Sequence, residues 1–485
     1  MKKTALAGII IAGVAITGIV IGGVVIVSSC RHGYSTSIES SSDNEGRNVT
    51  TIKMINPGLS EEIQYTGTIR LNDEETAIDS ISPEGFVKYT RNGMQFTAAC
   101  NPMGEVVYEL SDEGKKLELD ERGRRFIAGA VKDMVANGLD ATGRAERLYK
   151  KGGSQAVLRE VANIKRDDLK MDYFDYLFGV DTLSRDEMTD IAKRIGSMGW
   201  SDFDKERLLG KFTAAQLKDP QTEQAWLGAV DNMGSDMQKE NLLTQLIEKD
   251  SIPGDSFNKI LDITDHIGSD MAKENVLRQL VDKDSVHREN QGKLLEVITH
   301  IGSDMAKENL FREMIGKGAV SGEGFTRLMT AMEYIGSDMA KENLLTQLIE
   351  KDVIPKDHFD EFLGMLDHLG GDVSKENVLS ALIEKRAIPD DHFGQFLQEI
   401  DKIGSSNSKS NLFQKVIDGN ISTEDQWVTL IDATGKLSFD NEKSNLLVEI
   451  AGKMPASEKL KTAYRRAAKT INSDTDYGRA AKALE

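Results

Sequence analysis

Glycine recurs at Gly234, Gly268, Gly302, Gly336, Gly370 and Gly404, one copy every 34 residues. The surrounding string is nearly copied as Ile267-Gly268-Ser269-Asp270-Met271-Ala272-Lys273-Glu274-Asn275, then over 301–309 and 335–343. Gly199-Trp200-Ser201-Asp202 with Lys205 falls in the same frame upstream, and Asp167-Asp168 falls there weakly. Lys443-Ser444-Asn445 and Ile471-Asn472-Ser473-Asp474 continue it downstream. Residues 164–485 therefore hold about nine and a half units, and a period of about 20–50 residues marks a solenoid, propeller or array.

Each unit reads as two helices. Helix A opens at Ser-Asp; the serine is an N-cap, and the aspartate complements the positive helix end. A short loop such as Ile252-Pro253-Gly254-Asp255 leads to helix B. Pro253, Pro355 and Pro389 hold the same place, which suits a helix start. Phe257, Ile260, Leu261, Thr264 and Ile267 have helical apolar spacing, and the glycine that follows is expected as a C′ residue. Such units bury their apolar faces only by stacking. The expected fold class is α+β: a small antiparallel β domain followed by an α-solenoid, with an N-terminal transmembrane helix.

The upstream regions support the rest of that expectation. Thr4 to Ser29 carries no charge and follows Lys2-Lys3. It exceeds the roughly 20 apolar residues that a span needs. Residues 1–30 are expected to be a membrane anchor with a cytoplasmic N-terminus. Val27-Ser28-Ser29-Cys30 leaves a lipoprotein signal, with Cys30 acylated, as the alternative. The Ser-rich stretch 31–47 is expected to be a flexible tether. Residues 48–120 alternate with period two, giving candidate strands at 48–55, 61–71, 77–81, 85–91, 94–100, 104–110 and 115–119. Asn92-Gly93 is the clearest hairpin signal among them. Residues 121–163 form a helical connector punctuated by Gly138 and Gly152-Gly153, and 164–485 form the solenoid.

The net charge of −19 and the lack of a basic stripe argue against nucleic-acid binding. The sequence contains no P-loop, no GxGxxG after a strand, no GxSxG and no His-Glu-x-x-His, so no catalytic residue, metal or cofactor is expected. His266, His300 and His368 share a column at the end of helix B, where a cation suits the negative helix end.

Two columns of polar residues stand out. On a wheel of about 100° per residue with Asp236 at zero, Lys239 lies near 300°, among the leucines. Lys205, Lys239, Lys273, Lys307, Lys341, Lys375, Lys409 and Lys443 repeat it. Asp202, Asp236, Asp270, Asp304, Asp338, Asp372 and Asp440 recur beside them. A charge placed in a core needs a partner, so lysine–aspartate pairs are expected to stitch the units together. The alternative is a lysine whose stem alone is buried. Ser406 replaces the aspartate in one unit, which marks a weak joint. Asn241, Asn275, Asn309, Asn343, Asn377, Asn411 and Asn445 lie near 140° on that wheel, opposite the leucines. An amide row offers donors and acceptors to the main chain of an extended peptide. A bond to the neighbouring unit, or simple duplication, competes with that reading.

The string Ile-x-Ser-Asp-x-x-Lys-x-x-x-Leu resembles the HEAT-like repeats of bacterial envelope proteins, related to repeats that accompany BlaR-type sensor metalloproteases. Tyr65-Thr66-Gly67-Thr68-Ile69, Ile81-Ser82-Pro83-Glu84-Gly85-Phe86 and Lys151-Gly152-Gly153-Ser154 resemble that family too, over roughly residues 60–485. The resemblance implies an anchored extracytoplasmic repeat protein and carries no catalytic residues. The expected function is a non-enzymatic scaffold binding a protein or extended peptide, with the membrane contacted through 4–29. The alternative is a sensor or enzyme accessory module whose site lies where the β domain meets the helices.

Overall fold

A computed structural model describes residues 6–11, 14–21, 24–31, 34–42, 48–56, 59–164, 166–249, 254–283, 290–318, 322–419 and 421–485. The chain divides into two compact units, Met1–Arg194 and Ile195–Glu485.

The first unit opens with β1 (Leu6–Ile11), β2 (Val14–Ile21), β3 (Val24–Arg31), β4 (Tyr34–Ser42), β5 (Asn48–Asn56) and β6 (Leu59–Thr66). Then come β7 (Ile69–Leu71), β8 (Ile78–Ile81), β9 (Phe86–Arg91), β10 (Met94–Cys100), β11 (Val106–Asp112) and β12 (Lys115–Leu117). Ten of these form one antiparallel meander in the order β1-β2-β3-β4-β5-β6-β9-β10-β11-β12, and β7 pairs with β8 apart from it. The candidate strand 61–71 divides because Gly67 takes φ +79° and turns the chain from β6 into β7. Asn92 and Gly93, both at positive φ, join β9 to β10, with Arg91 opposite Met94. Such a left-handed pair matches the twist of the flanking strands.

Two expectations fall differently near the N-terminus. The helix expected over 4–29 is replaced by β1, β2 and β3. Ile and Val dominate that run, and their branched β-carbons favour a pleated backbone. No helix among the described residues is long and apolar enough to cross a membrane. The stretch expected as a tether contains β4, which pairs with β3 and β5; residues 43–47 of it lie outside the described residues. Cys30 belongs to β3.

Helices α1 (Glu121–Ala136), α2 (Ala141–Asn163), α3 (Asp167–Phe178) and α4 (Arg185–Ser197) follow. Ile127, Ala130, Val131, Met134 and Val135 of α1 pack with Ile63, Val87, Tyr89, Phe96 and Leu110 of the large sheet and Ile69, Leu71, Ile78 and Ile81 of the small one. One sheet face is thereby covered, as the period-two pattern requires. Gly152 and Gly153 kink α2 through non-helical dihedrals.

The second unit begins inside α4. Its first-type helices, called A here, are Asp202–Leu209, Asp236–Lys249, Asp270–Asp282, Asp304–Gly316, Asp338–Glu350, Asp372–Lys385, Ser406–Gly419, Asp440–Lys453 and Asp474–Ala483. Their starts keep the 34-residue step. The B helices are Pro220–Asp231, Gly254–Asp265, Gln291–Thr299, Glu323–Met332, Phe359–Gly364, Phe393–Asp401, Glu424–Thr434 and Glu458–Ala468. From Asp236–Lys249 onward each A helix packs on the A helix of the next unit, and B helices stack likewise. This two-layer helical array is the α-solenoid that the period demanded. Leu242, Leu243, Leu246 and Ile247, and their equivalents in later units, are buried between the layers. Pro253 lies outside the described residues.

Candidate binding face

Several A helices are fixed at their starts. The serine hydroxyls of Ser201, Ser269, Ser303 and Ser337 accept a hydrogen bond from the backbone N–H three residues on, so they are true N-caps. The aspartate that follows reaches into the next unit. Asp236 accepts from the N–H groups of Gly268 at 3.1 Å and Ser269 at 2.9 Å. Asp338 accepts from Gly370 at 3.0 Å and Gly371 at 2.9 Å, and Asp372 from Gly404 at 3.2 Å and Ser405 at 2.8 Å. Asp270 and Asp304 accept from Gly302 and Gly336, each at 3.0 Å. A carboxylate held by backbone N–H groups is a charge-assisted bond, stronger than a neutral one.

That clamp explains the glycine column differently from the expected C′ role. None of Gly234, Gly268, Gly302, Gly336, Gly370 and Gly404 has a positive φ. A β-carbon on Gly302 would instead sit 3.0 Å from Asp270 Oδ2, and one on Gly336 would sit 3.1 Å from Asp304 Oδ2. At these two joints the glycine eases the close approach of the neighbouring carboxylate. Asn472 takes its place against Asp440 in the last joint.

The lysine column is buried at Lys205, Lys239, Lys273, Lys307, Lys341 and Lys443, while Lys375 is half-buried. The expected pairing with aspartate holds at Lys409, 3.2 Å from Asp401, and needs correction at Lys307, Lys341 and Lys443. Lys307 Nζ donates to the carbonyl of Tyr334 at 2.7 Å, Lys341 to His368 at 2.8 Å and Lys443 to Thr470 at 3.0 Å. These carbonyls close the B helix of the same joint, where helix ends leave acceptors unfilled. The nearest aspartates are farther away: 3.9 Å for Lys307 and Asp304, 3.9 Å for Lys273 and Asp265, and 3.6 Å for Lys443 and Asp440. Asp236, Asp270, Asp304, Asp338 and Asp372 therefore serve the next unit's backbone N–H groups. The ammonium groups of Lys307, Lys341 and Lys443 serve carbonyls.

The asparagine column also joins units. Nδ2 of Asn241 donates to Glu206 at 2.8 Å, Asn275 to Glu240 at 2.7 Å and Asn309 to Glu274 at 3.0 Å. Asn343 donates to Glu308 at 2.9 Å, Asn377 to Glu342 at 2.7 Å and Asn411 to Glu376 at 3.2 Å. Asn445 instead accepts from Arg479. The donor half of the expected peptide grip is thus occupied within the stack, because a carboxylate one unit back attracts each amide N–H more strongly than a neutral peptide carbonyl would. The histidine column crosses joints too: His300 Nδ1 lies 2.8 Å from Asp265, His266 3.5 Å from Asp231 and His368 3.8 Å from Glu333.

The same face opens between A helices. A groove of about 480 Å³ is lined by Phe203, Glu206, Arg207, Gly210, Asn241 and Gln245. Six units on, the equivalent positions Ser410, Asn411, Gln414, Asn445 and Glu449 line another of about 620 Å³. Sequence reasoning overlooked one row there. Phe203, Met237, Met271, Met305, Met339 and Val373 are exposed by 67, 61, 70, 70, 69 and 68%. The missed signal is an apolar residue directly after the aspartate, near 100° on the wheel and far from the leucines.

The first unit holds a compact polar cluster near its sheet–helix junction. Asp140 accepts from Leu71 N at 3.1 Å and from Arg147 Nη1 at 2.7 Å. Glu75 lies 3.1 Å from Arg147 and 3.4 Å from Arg144, which also reaches Glu160 at 3.2 Å. Burial pushes the Tyr173 phenol beside it up to about 12. The charges there neutralise one another. Cys100 is free and half-buried, its Sγ 3.5 Å from the Asn101 carbonyl.

No protein-family model matches this chain, and no curated protein matches it in sequence.

Proposed function

We infer that this chain is a non-enzymatic scaffold of the cell envelope, docking a protein or extended peptide along the outer face of its A helices. The carrying observation is the recurrence of one open groove at positions six units apart. A repeated groove on a stiffened stack suits a long ligand. The Asn241–Glu206 bond and the bonds of Gly234 and Ser235 N–H to Asp202 hold the first groove in shape, and Arg479 bonded to Asn445 holds the second, which lowers the ordering cost of binding. The cluster of Asp140, Glu75, Arg144 and Arg147 disfavours the sensor or enzyme alternative, since each charge there already lies beside an opposite one.

Attachment to a membrane through 4–29, with the bulk of the chain extracytoplasmic, rests on the uncharged run after Lys2-Lys3. Hydrocarbon offers no partner to an open sheet edge, whereas a helix satisfies its own backbone. A bilayer therefore favours a helix for a run that pairs as strands in water. Acylation at Cys30 is the second route to the same location. The HEAT-like resemblance fits this reading. A photo-reactive residue at Arg207, on the A face, should cross-link a partner in intact cells, and one at Lys436, beyond a B helix, should not. Cross-links from Lys436 alone would reject the A face.

A further inference from the structure

The exposed apolar row and an acidic row are coextensive. Phe203, Met237, Met271, Met305, Met339 and Val373 are each followed three residues later by Glu206, Glu240, Glu274, Glu308, Glu342 and Glu376. Both rows stop together: Asn407 and Asn441 replace the apolar residue, and Ser410 and Ser444 replace the glutamate. Phe203 and Val373 are not copies of methionine, yet they remain apolar. Six side chains in line, each about two-thirds exposed, amount to more than the scattered apolar residues that any surface carries.

We propose that this double row is the docking site for a cationic segment of another polypeptide in the polyproline II conformation. Spacing selects the conformation. Direct bonds from each A helix to the one before it, such as Asn309 to Glu274, place successive helices at the usual separation of about 8–10 Å. A polyproline II chain rises about 3.1 Å per residue with three residues per turn, so every third side chain returns to one face after about 9.3 Å. A β-strand returns to one face after about 6.6 Å and falls out of step. An α-helix returns after seven residues, about 10.5 Å, but drifts about 20° each time and leaves the row within a few units. Charge selects the composition. Arg278 and Arg312 already pair with Glu274 and Glu308; Glu206, Glu240, Glu342 and Glu376, half-buried beside the row on a chain of net charge −19, favour Lys or Arg between the apolar positions. The Oδ1 atoms of Asn241, Asn275, Asn309, Asn343, Asn377 and Asn411 accept no hydrogen bond among the described residues, and they offer acceptors to the ligand's free N–H groups. Six units accommodate six triplets.

This proposal rests on the A face being the docking face, and its test separates the two. The full chain is titrated with a fluorescent peptide of six Leu-Pro-Lys triplets, with six Leu-Pro-Glu triplets, and with an alternating Leu-Lys peptide of equal length. The first should bind, the second should not, and the third should bind at least tenfold more weakly. Replacing Met237, Met271, Met305 and Met339 together with glutamine should weaken the first by roughly 30-fold or more. The thermal midpoint should stay within about 2 °C, since these side chains pack on little. Met305→Gln alone should weaken binding several-fold. Equal binding by the fourfold variant, equal binding of the alternating peptide, or no binding of the first peptide would overturn the proposal. So would a wild-type dimer that the fourfold variant dissolves, because a second copy would then cover the row. A partner cross-linked from Arg207 while the peptide fails would keep the A face and reject this occupant.

Discussion

Asp338→Ala tests the clamp between units most directly. The wild-type carboxylate accepts from two N–H groups of the next unit, at 3.0 and 2.9 Å. Bonds to charged groups contribute roughly 1.5–3 kcal/mol each. Gly370 is exposed and Gly371 half-buried, so water takes over part of both and a total loss of about 2–3 kcal/mol is expected. At about 2.1 cal/mol/K per residue, the unit Ile195–Glu485 shifts its midpoint by roughly 1.6 °C per kcal/mol, which predicts a fall of about 3–5 °C. Asp338→Asn keeps an acceptor without the charge and should lose about half as much. Amide exchange should quicken at Gly370 and Gly371 first, because repeat arrays respond locally. A double-mutant cycle with Lys341→Met adds a sharper criterion. Asp338 and Lys341 bond different groups, so their coupling should stay below about 0.5 kcal/mol. A midpoint shift under about 1 °C with unchanged exchange, or a coupling well above 1 kcal/mol, would refute the clamp.

Gly302→Ala places a β-carbon 3.0 Å from Asp270 Oδ2, whereas Gly234→Ala meets Asp202 at an ordinary 3.6 Å; melting should show the first destabilised by about 1–2 kcal/mol and the second nearly neutral. Lys307→Met removes one bond to a carbonyl along with a desolvated charge; these oppose each other, and a change within about 1 kcal/mol is expected rather than the roughly 3–5 kcal/mol of a broken buried ion pair. Burial and the Asp282 carboxylate push Glu313 up to about 7, while the hydrogen bond from Glu313 holds Asp282 below its usual range. The Glu313 contribution is therefore full below its unfolded value of about 4.5 and lost as pH rises through about 7, and the Asp282 contribution is lost only as pH falls below about 4. Lowering pH from about 8 to 6 should raise the melting temperature of the wild type more than that of Glu313→Gln. Ser406→Asp supplies the acceptor missing at one joint and should raise the midpoint by a few degrees; an unchanged midpoint would show that Ser438 and Phe439 cannot receive it.

The period of 34 made the solenoid legible, because a two-helix unit with one apolar face has to stack. The wheel positions also placed the lysines inside and the asparagines outside. What the wheel could not convey was the partner. Lys307 and Asp304 sit one turn apart, which invites pairing, yet the neighbouring unit brings Tyr334's carbonyl to the one and Gly336's N–H to the other. Backbone groups carry no residue name, so a sequence does not display them as partners. Gly302 was read as a helix end for the same reason. The strands of 48–117 were legible from alternation and from Asn92-Gly93, while β1–β4 were not. A long uncharged run of Ile and Val satisfies the length rule for a membrane span and the residue preference for strands at once.

The limits of the rows fit the limits of the clamp. From Asp202 to Asp372, six successive A helices carry the apolar side chain, the glutamate, and an aspartate that bonds the following loop. The next helix begins with Ser406, and the three features lapse together. Beyond it the joint with the helix Asp474–Ala483 restores the aspartate clamp and the lysine–carbonyl bond and adds others. Arg479 lies against Ser444 and Asn445, Lys443 and Asp440 hold the loop, and Tyr464 donates to the Ala480 carbonyl at 2.8 Å. The array therefore separates into six units that share one outward surface and three later A helices, from Ser406 on, that lack it. Duplication by itself would copy residues without regard to that division. Both rows are lost from Ser406 on while the aspartate clamp resumes at Asp440, which ties the rows to the outward surface of the six rather than to the stacking.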